Sequence, residues 1–165
     1  MIITDILGTV LEDKFSKYKL VYTTISYDHT HKKIQTLVAD DGVEFRFRLD
    51  ESVRVRGLND GDVFFVDKEK QTLYAIKISE ILCLVIKTKT PANSASIGYV
   101  IGNRHAKLYF GESENEFLTP YEKTIEDMLS VVLNIELSKE HRVLAPEKSL
   151  MNILPNSQDT HHHSH

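Results

Sequence analysis

Residues 43–49, VEFRFRL, alternate strictly between apolar and charged side chains. Val43, Phe45, Phe47 and Leu49 face one way; Glu44, Arg46 and Arg48 face the other. A period of two fits a half-buried strand and no helix. Four further β-type runs share this part of the chain: KLVYTTIS, KIQTLVA, DVFFVD and TLYAIKI. The turn-formers SYDHTH, ADDG and LNDGD separate them. No helical period appears here, so residues 1–77 are expected to form a small all-β domain.

The pattern changes at about residue 78. ISEILCLVIKT is almost unbroken apolar, as in a central strand covered on at least one face. Thr90 then stands as N-cap before Pro91, and Ile97, Val100 and Ile101 keep helical spacing. KLYFG and NEFLT pair as a hairpin across Gly111, Glu112, Ser113 and Glu114. In TPYEKTIEDMLSVVL, Thr119 and Glu122 read as a capping box around Pro120. Ile125, Met128, Leu129 and Val132 follow at i, i+3, i+4 and i+7. NIELSKEHRVL supplies a last strand. The expected fold class is therefore α+β. A ferredoxin-like βαββαβ domain over residues 78–146 follows the all-β domain, and residues 147–165 form a flexible tail.

Composition narrows the function. The net charge of −4 offers no pull on nucleic acid or an anionic membrane. No apolar run approaches the ~20 residues that span a bilayer, and the start lacks a signal-peptide pattern. A cytoplasmic protein is expected. The single cysteine, Cys83, lies among large apolar residues and reads as a buried thiol. G-x-S-x-G, H-E-x-x-H, C-x-x-C and phosphate-binding glycine loops are absent, which argues against an enzyme.

The histidines point elsewhere. His161, His162, His163 and His165 put four imidazoles in the last five residues. Such a tether can close around Ni²⁺, Zn²⁺ or Cu²⁺. A purification tag is the plain alternative, but Ser164 interrupts the run. One more histidine, His105, ends the GNRH element. If the helix continues, His105 shares a face with Ile97 and Ile101. If Gly102 and Asn103 form a left-handed cap, His105 merely complements the helix dipole. In a two-fold symmetric dimer, a single residue near the axis meets its own copy. Two imidazoles would then face one ion, and the tails would complete its shell. Binding needs neutral imidazole, so affinity should fall as pH drops through about 6.5. His29 and His31 read as a solvated turn and His141 as a surface strand residue. Asp60-Gly61-Asp62 reads as a turn rather than a cation loop.

The stretch YVIGNRHAKLYF resembles the urease accessory protein UreE family of nickel metallochaperones. LNDGDVFF, TPYEKTIEDML and the histidine-bearing tail match the same family in the same order. The resemblance implies a partner-contacting β domain and a ferredoxin-like domain that dimerises. It implies Ni²⁺ bound between the two copies of His105, assisted by tail histidines. It implies a homodimer and transfer to an accessory GTPase and on to apo-urease; the sequence leaves dimer versus tetramer open, since metal-bridged pairs can associate further. Where some relatives carry extra histidines, this chain has Tyr121, Glu122 and Lys123. A β-domain interaction or chaperone module with an incidental tail is the rival. An RNA-binding domain is disfavoured, since Tyr109 and Phe110 point to opposite faces of one strand.

Overall fold

The alternation in residues 43–49 becomes a strand in the computed structural model, which describes residues 1–153. The described residues form a mixed α+β structure with three sheets and three α-helices. The strands are β1 (Ile2–Ile3), β2 (Gly8–Thr9), β3 (Lys19–Ile25), β4 (Ile34–Val38), β5 (Glu44–Arg48), β6 (Asp62–Asp67) and β7 (Thr72–Ile78). They continue as β8 (Ile81–Thr88), β9 (Tyr109–Phe110), β10 (Glu116–Pro120) and β11 (Ile135–Arg142). The helices are α1 (Val53–Arg56), α2 (Pro91–Asn103) and α3 (Lys123–Leu129).

The first seven strands make two sheets, ordered β1-β5-β4 and β2-β6-β7-β3. Phe45 and Phe47 of β5 turn inward, fully buried, against Phe64 and Tyr74. A bulge at Val63 and Phe65 breaks the period of two in β6. It lets the neighbours Phe64 and Phe65 both reach the Phe45 ring, at 5.0 and 5.6 Å. The DGD turn is structural: Gly61 adopts φ 80°, and the buried Asp62 carboxylate accepts both guanidinium nitrogens of Arg56 at 2.7 and 2.8 Å. That pairing raises the Arg56 pKa further. Contrary to the sequence expectation, this part holds a helix. α1 is a single turn that buries Val53, too short for any period to reveal.

The remaining strands form one sheet ordered β11-β8-β10-β9. β8 is central, which explains its unbroken apolar run. Leu84 and Ile86 face Ile97, Ile101, Ile125 and Leu129 of the helices. Cys83 and Val85 face the other way, against Leu118, Tyr109 and Leu144. Burial pushes the Cys83 thiol pKa up. The hairpin forms as expected, with Phe110 opposite Phe117 and Tyr109 opposite Leu118. The expected capping box does not form. Thr119 is buried within β10 opposite Leu84, and its hydroxyl has no partner among the described residues. Pairing with β8 runs through Pro120, so α3 starts only at Lys123, with Glu122 as an N-cap that makes no side-chain bond.

Residues 143–150 cross all of these clusters. Ala145 joins the aromatic core, Leu144 the Cys83 cluster and Leu150 the helix-covered core. The Glu147 amide donates to Asn59 Oδ1 at 2.9 Å.

Candidate metal site

α2 carries His105 to its place. Pro91 opens the helix, and the Thr90 hydroxyl accepts the Asn93 amide at 3.1 Å, as the sequence predicts. Glycines, serine and β-branched residues make α2 a weak helix by composition. Packing holds it instead. Ile97 and Ile101 are fully buried, each contributing roughly 1.5–3 kcal/mol.

The end of α2 differs from both sequence readings. The helix stops at Asn103, so His105 does not share the buried face of Ile97 and Ile101. The left-handed residue is His105 itself, at φ 53°. Its amide donates to the Gly102 carbonyl at 2.9 Å, and the Ala106 amide to the Ile101 carbonyl at 3.3 Å. These two bonds make a Schellman cap, whose left-handed position usually holds glycine. A β-carbon there costs up to about 1 kcal/mol. The imidazole is left exposed at the helix end.

The chain beyond His105 is pinned on two sides. The Lys107 ammonium sits 5.2 Å from the centre of the Tyr27 ring. The Leu108 carbonyl accepts the Leu150 amide at 3.0 Å, and Tyr109 bridges to Ser149. On the other side of His105, Arg104 Nε donates to Met128 Sδ at 3.2 Å. Burial, helped by Tyr27 and Cys83, pushes the Tyr109 phenol up to about 12. No sequence signal links Tyr27 to Lys107, because the contact joins distant parts of the chain. Leu150 had a faint signal as one apolar residue in SLMNIL.

The other histidines stand apart. His29 and His31 lie in the turn after β3, and His31 Nδ1 is 3.1 Å from the Arg54 carbonyl. His141 is exposed on β11 opposite Leu82. Among the described residues, no three potential ligands of the His, Cys, Asp or Glu type converge. His161, His162, His163 and His165 lie outside the described residues. Among the described residues, no helix is long and apolar enough to cross a membrane.

Comparison with known proteins decides the family. The model of the UreE urease accessory protein C-terminal domain matches residues 82–165. This chain belongs to the UreE family. It is 35% identical over 145 residues to the urease accessory protein UreE of Helicobacter acinonychis (strain Sheeba), covering 88% of this chain and 81% of the relative. It is 34% identical over 145 residues to that of Helicobacter pylori (strain G27), with the same coverage. The UreE of Helicobacter bizzozeronii is 30% identical over 149 residues, 87% of this chain and 82% of the relative. As a UreE-family member the chain is a urease accessory protein, not an enzyme.

Proposed function

We propose that this chain is a cytoplasmic nickel metallochaperone for urease. Two copies form a homodimer through the βαββαβ part, whose strand order is that of a ferredoxin-like fold. Ni²⁺ is the cargo, held between His105 of each chain with help from some of His161, His162, His163 and His165. Zn²⁺ or Cu²⁺ competes for the same imidazoles. The ion then passes to an accessory GTPase and apo-urease, and shared metal can bridge dimers into a tetramer.

The placement of His105 carries this reading. A strained, exposed imidazole ends a helix that has no charged residue along its thirteen positions. Backbone strain of this kind persists where surrounding bonds impose it, and it concentrates at functional sites. Tyr99 stands 71% exposed on that helix, and Leu133 80% exposed beside it, its carbonyl accepting from Asn93. A water-facing helix would carry charge; an uncharged one suits a second copy. A single imidazole is one ligand, and the two-fold axis would double it. The Leu150–Leu108 bond starts the tail three residues along the chain from His105.

Isothermal titration with Ni²⁺ tests the proposal. His105→Ala is expected to lose tight binding while keeping its circular dichroism and dimer mass. Deleting residues 161–165 should weaken binding or lower the stoichiometry without abolishing it. Unchanged binding by His105→Ala would overturn the assignment.

A further inference from the structure

His105 holds a left-handed backbone without being glycine, and such a conformation persists only where its surroundings impose it. On the helix side the constraint is the buried pair Ile97 and Ile101, with Arg104 held by Met128. The cap itself is weak, because one of its two amide bonds, from Ala106 to the Ile101 carbonyl, is long at 3.3 Å. The chain leaving the turn must be fixed as well. The residues that fix it come from the part built of β1 to β7.

Tyr27 makes the direct contact. Its ring centre lies 5.2 Å from the Lys107 ammonium. Two residues, at most about 7 Å of chain, separate Lys107 from His105. Among the described residues no carboxylate pairs with Lys107, so its ammonium meets the ring instead. The ring is not free to follow the lysine. It packs against both the aromatic core and the Cys83 cluster. Burial, with Asp28, Cys83 and Glu122 nearby, pushes its phenol up. Its backbone forms a single 3-10 turn, Tyr27–His29. The buried Thr30 hydroxyl donates to the Tyr27 carbonyl at 2.7 Å, and the Thr30 carbonyl accepts the Leu58 amide at 2.7 Å.

From Leu58 a second route returns to the same segment. The next residue, Asn59, accepts the Glu147 amide at 2.9 Å. Pro146 lies so close to Gly57 that a β-carbon there would meet its Cγ at 2.5 Å. Three residues beyond Glu147, the Leu150 amide bonds to the Leu108 carbonyl. Residues 107–109 are thus held to the β part twice, through a ring and through the 143–150 crossing.

We infer that Tyr27 is a positioning residue for the metal site: its ring, through Lys107, holds the turn that presents the His105 imidazole. The cargo in this inference rests on the nickel-carrier reading; the positioning rests on the contacts alone. The β part then sets how long the ion is kept.

Two measurements on the full chain test it. Amide hydrogen exchange without metal reads the positioning, and release of Ni²⁺ to excess EDTA reads its effect on the cargo. Lys107→Met should speed both exchange of the His105 and Ala106 amides and nickel release by roughly two- to fivefold, the worth of an exposed cation–π contact. Lys107 is exposed, so this variant should keep the fold. Tyr27→Leu should do at least as much, and adding Lys107→Met to it should add nothing further. Tyr27→Phe keeps the ring and Lys107→Arg keeps the cation, so both should match the parent chain. Parent-like exchange in Lys107→Met, a fast Lys107→Arg, additive losses in the double variant, or unchanged nickel release would each overturn the inference. Unchanged nickel binding by His105→Ala is the separate failure of the carrier reading. The exchange rates, measured without metal, then still accept or reject the positioning of the turn.

Discussion

The aromatic core and the helix-covered core solve the same burial problem with different side chains. In the first, rings interlock: Phe47 lies 4.9 Å from Phe64, and Phe45 lies 4.9 Å from Tyr74, edge to face. In the second, aliphatic chains fill the space between sheet and helices, with Phe110 and Phe117 as its ring pair at 6.0 Å. Their surfaces differ more. The outward side of β5 is charged, with Glu44, Arg46 and Arg48 in water. The outward side of α2 carries no charge. One region meets solvent on its own terms; the other leaves an uncharged helix exposed, the face that the proposed homodimer would cover.

Removing a ring should break the comparison most severely. Phe64→Ala touches the Phe45, Phe47 and Tyr74 rings and should cost about 3–5 kcal/mol in denaturant unfolding. If the two cores are separately cooperative, the proposed nickel site should outlast the aromatic core in that variant.

Alkaline titration comes next, because the aromatic core and the Cys83 cluster on the other face of β8 each hold one buried phenol. Tyr74, desolvated and donating to Asp41, and Tyr109, desolvated beside Tyr27 and Cys83, are both pushed up to about 12. Folding therefore favours the neutral phenol in both. Their contribution is complete below the ordinary phenol value of 10.0 and is lost as pH rises through about 12. Stability measured by urea unfolding should be flat up to about pH 10 and fall above it. Tyrosinate absorbance should show two phenols that ionise late, and Tyr74→Phe should remove one of them.

The exposed helix face gives a smaller effect. Tyr99→Glu should raise the dimer dissociation constant at least about tenfold, roughly 1.4 kcal/mol, in sedimentation equilibrium. A matching charge beside β5, Thr36→Glu on the facing strand β4 opposite Arg46, should leave the mass unchanged.

The smallest change is expected to be stabilising. His105→Gly relieves the left-handed backbone and should gain up to about 1 kcal/mol, while nickel binding is lost. His105→Ala should lose nickel binding without that gain. A destabilised glycine variant would contradict the strain at this cap.

Much of this molecule was written in local pattern. Alternation in residues 43–49, the Thr90–Pro91 helix start and the unbroken run of β8 each report on neighbours along the chain, so periodicity reveals them. The GNRH element and the order of motifs around it also pointed to the family. What the pattern missed depended on distant partners. Thr119 looked like a cap until β8 claimed it as a strand residue, because a ladder of interstrand bonds outweighs one local side-chain bond. α1 is a single turn, shorter than any period. The bulge in β6 answers to the Phe45 ring. The left-handed turn fell on His105 rather than on the preceding glycine because burial of Ile97 and Ile101 sets where α2 must stop. Sequence alone thus determined which residue types were available and in what order. Tertiary packing decided which way the histidine points, since that direction depends on bonds between residues that only the folded chain brings together.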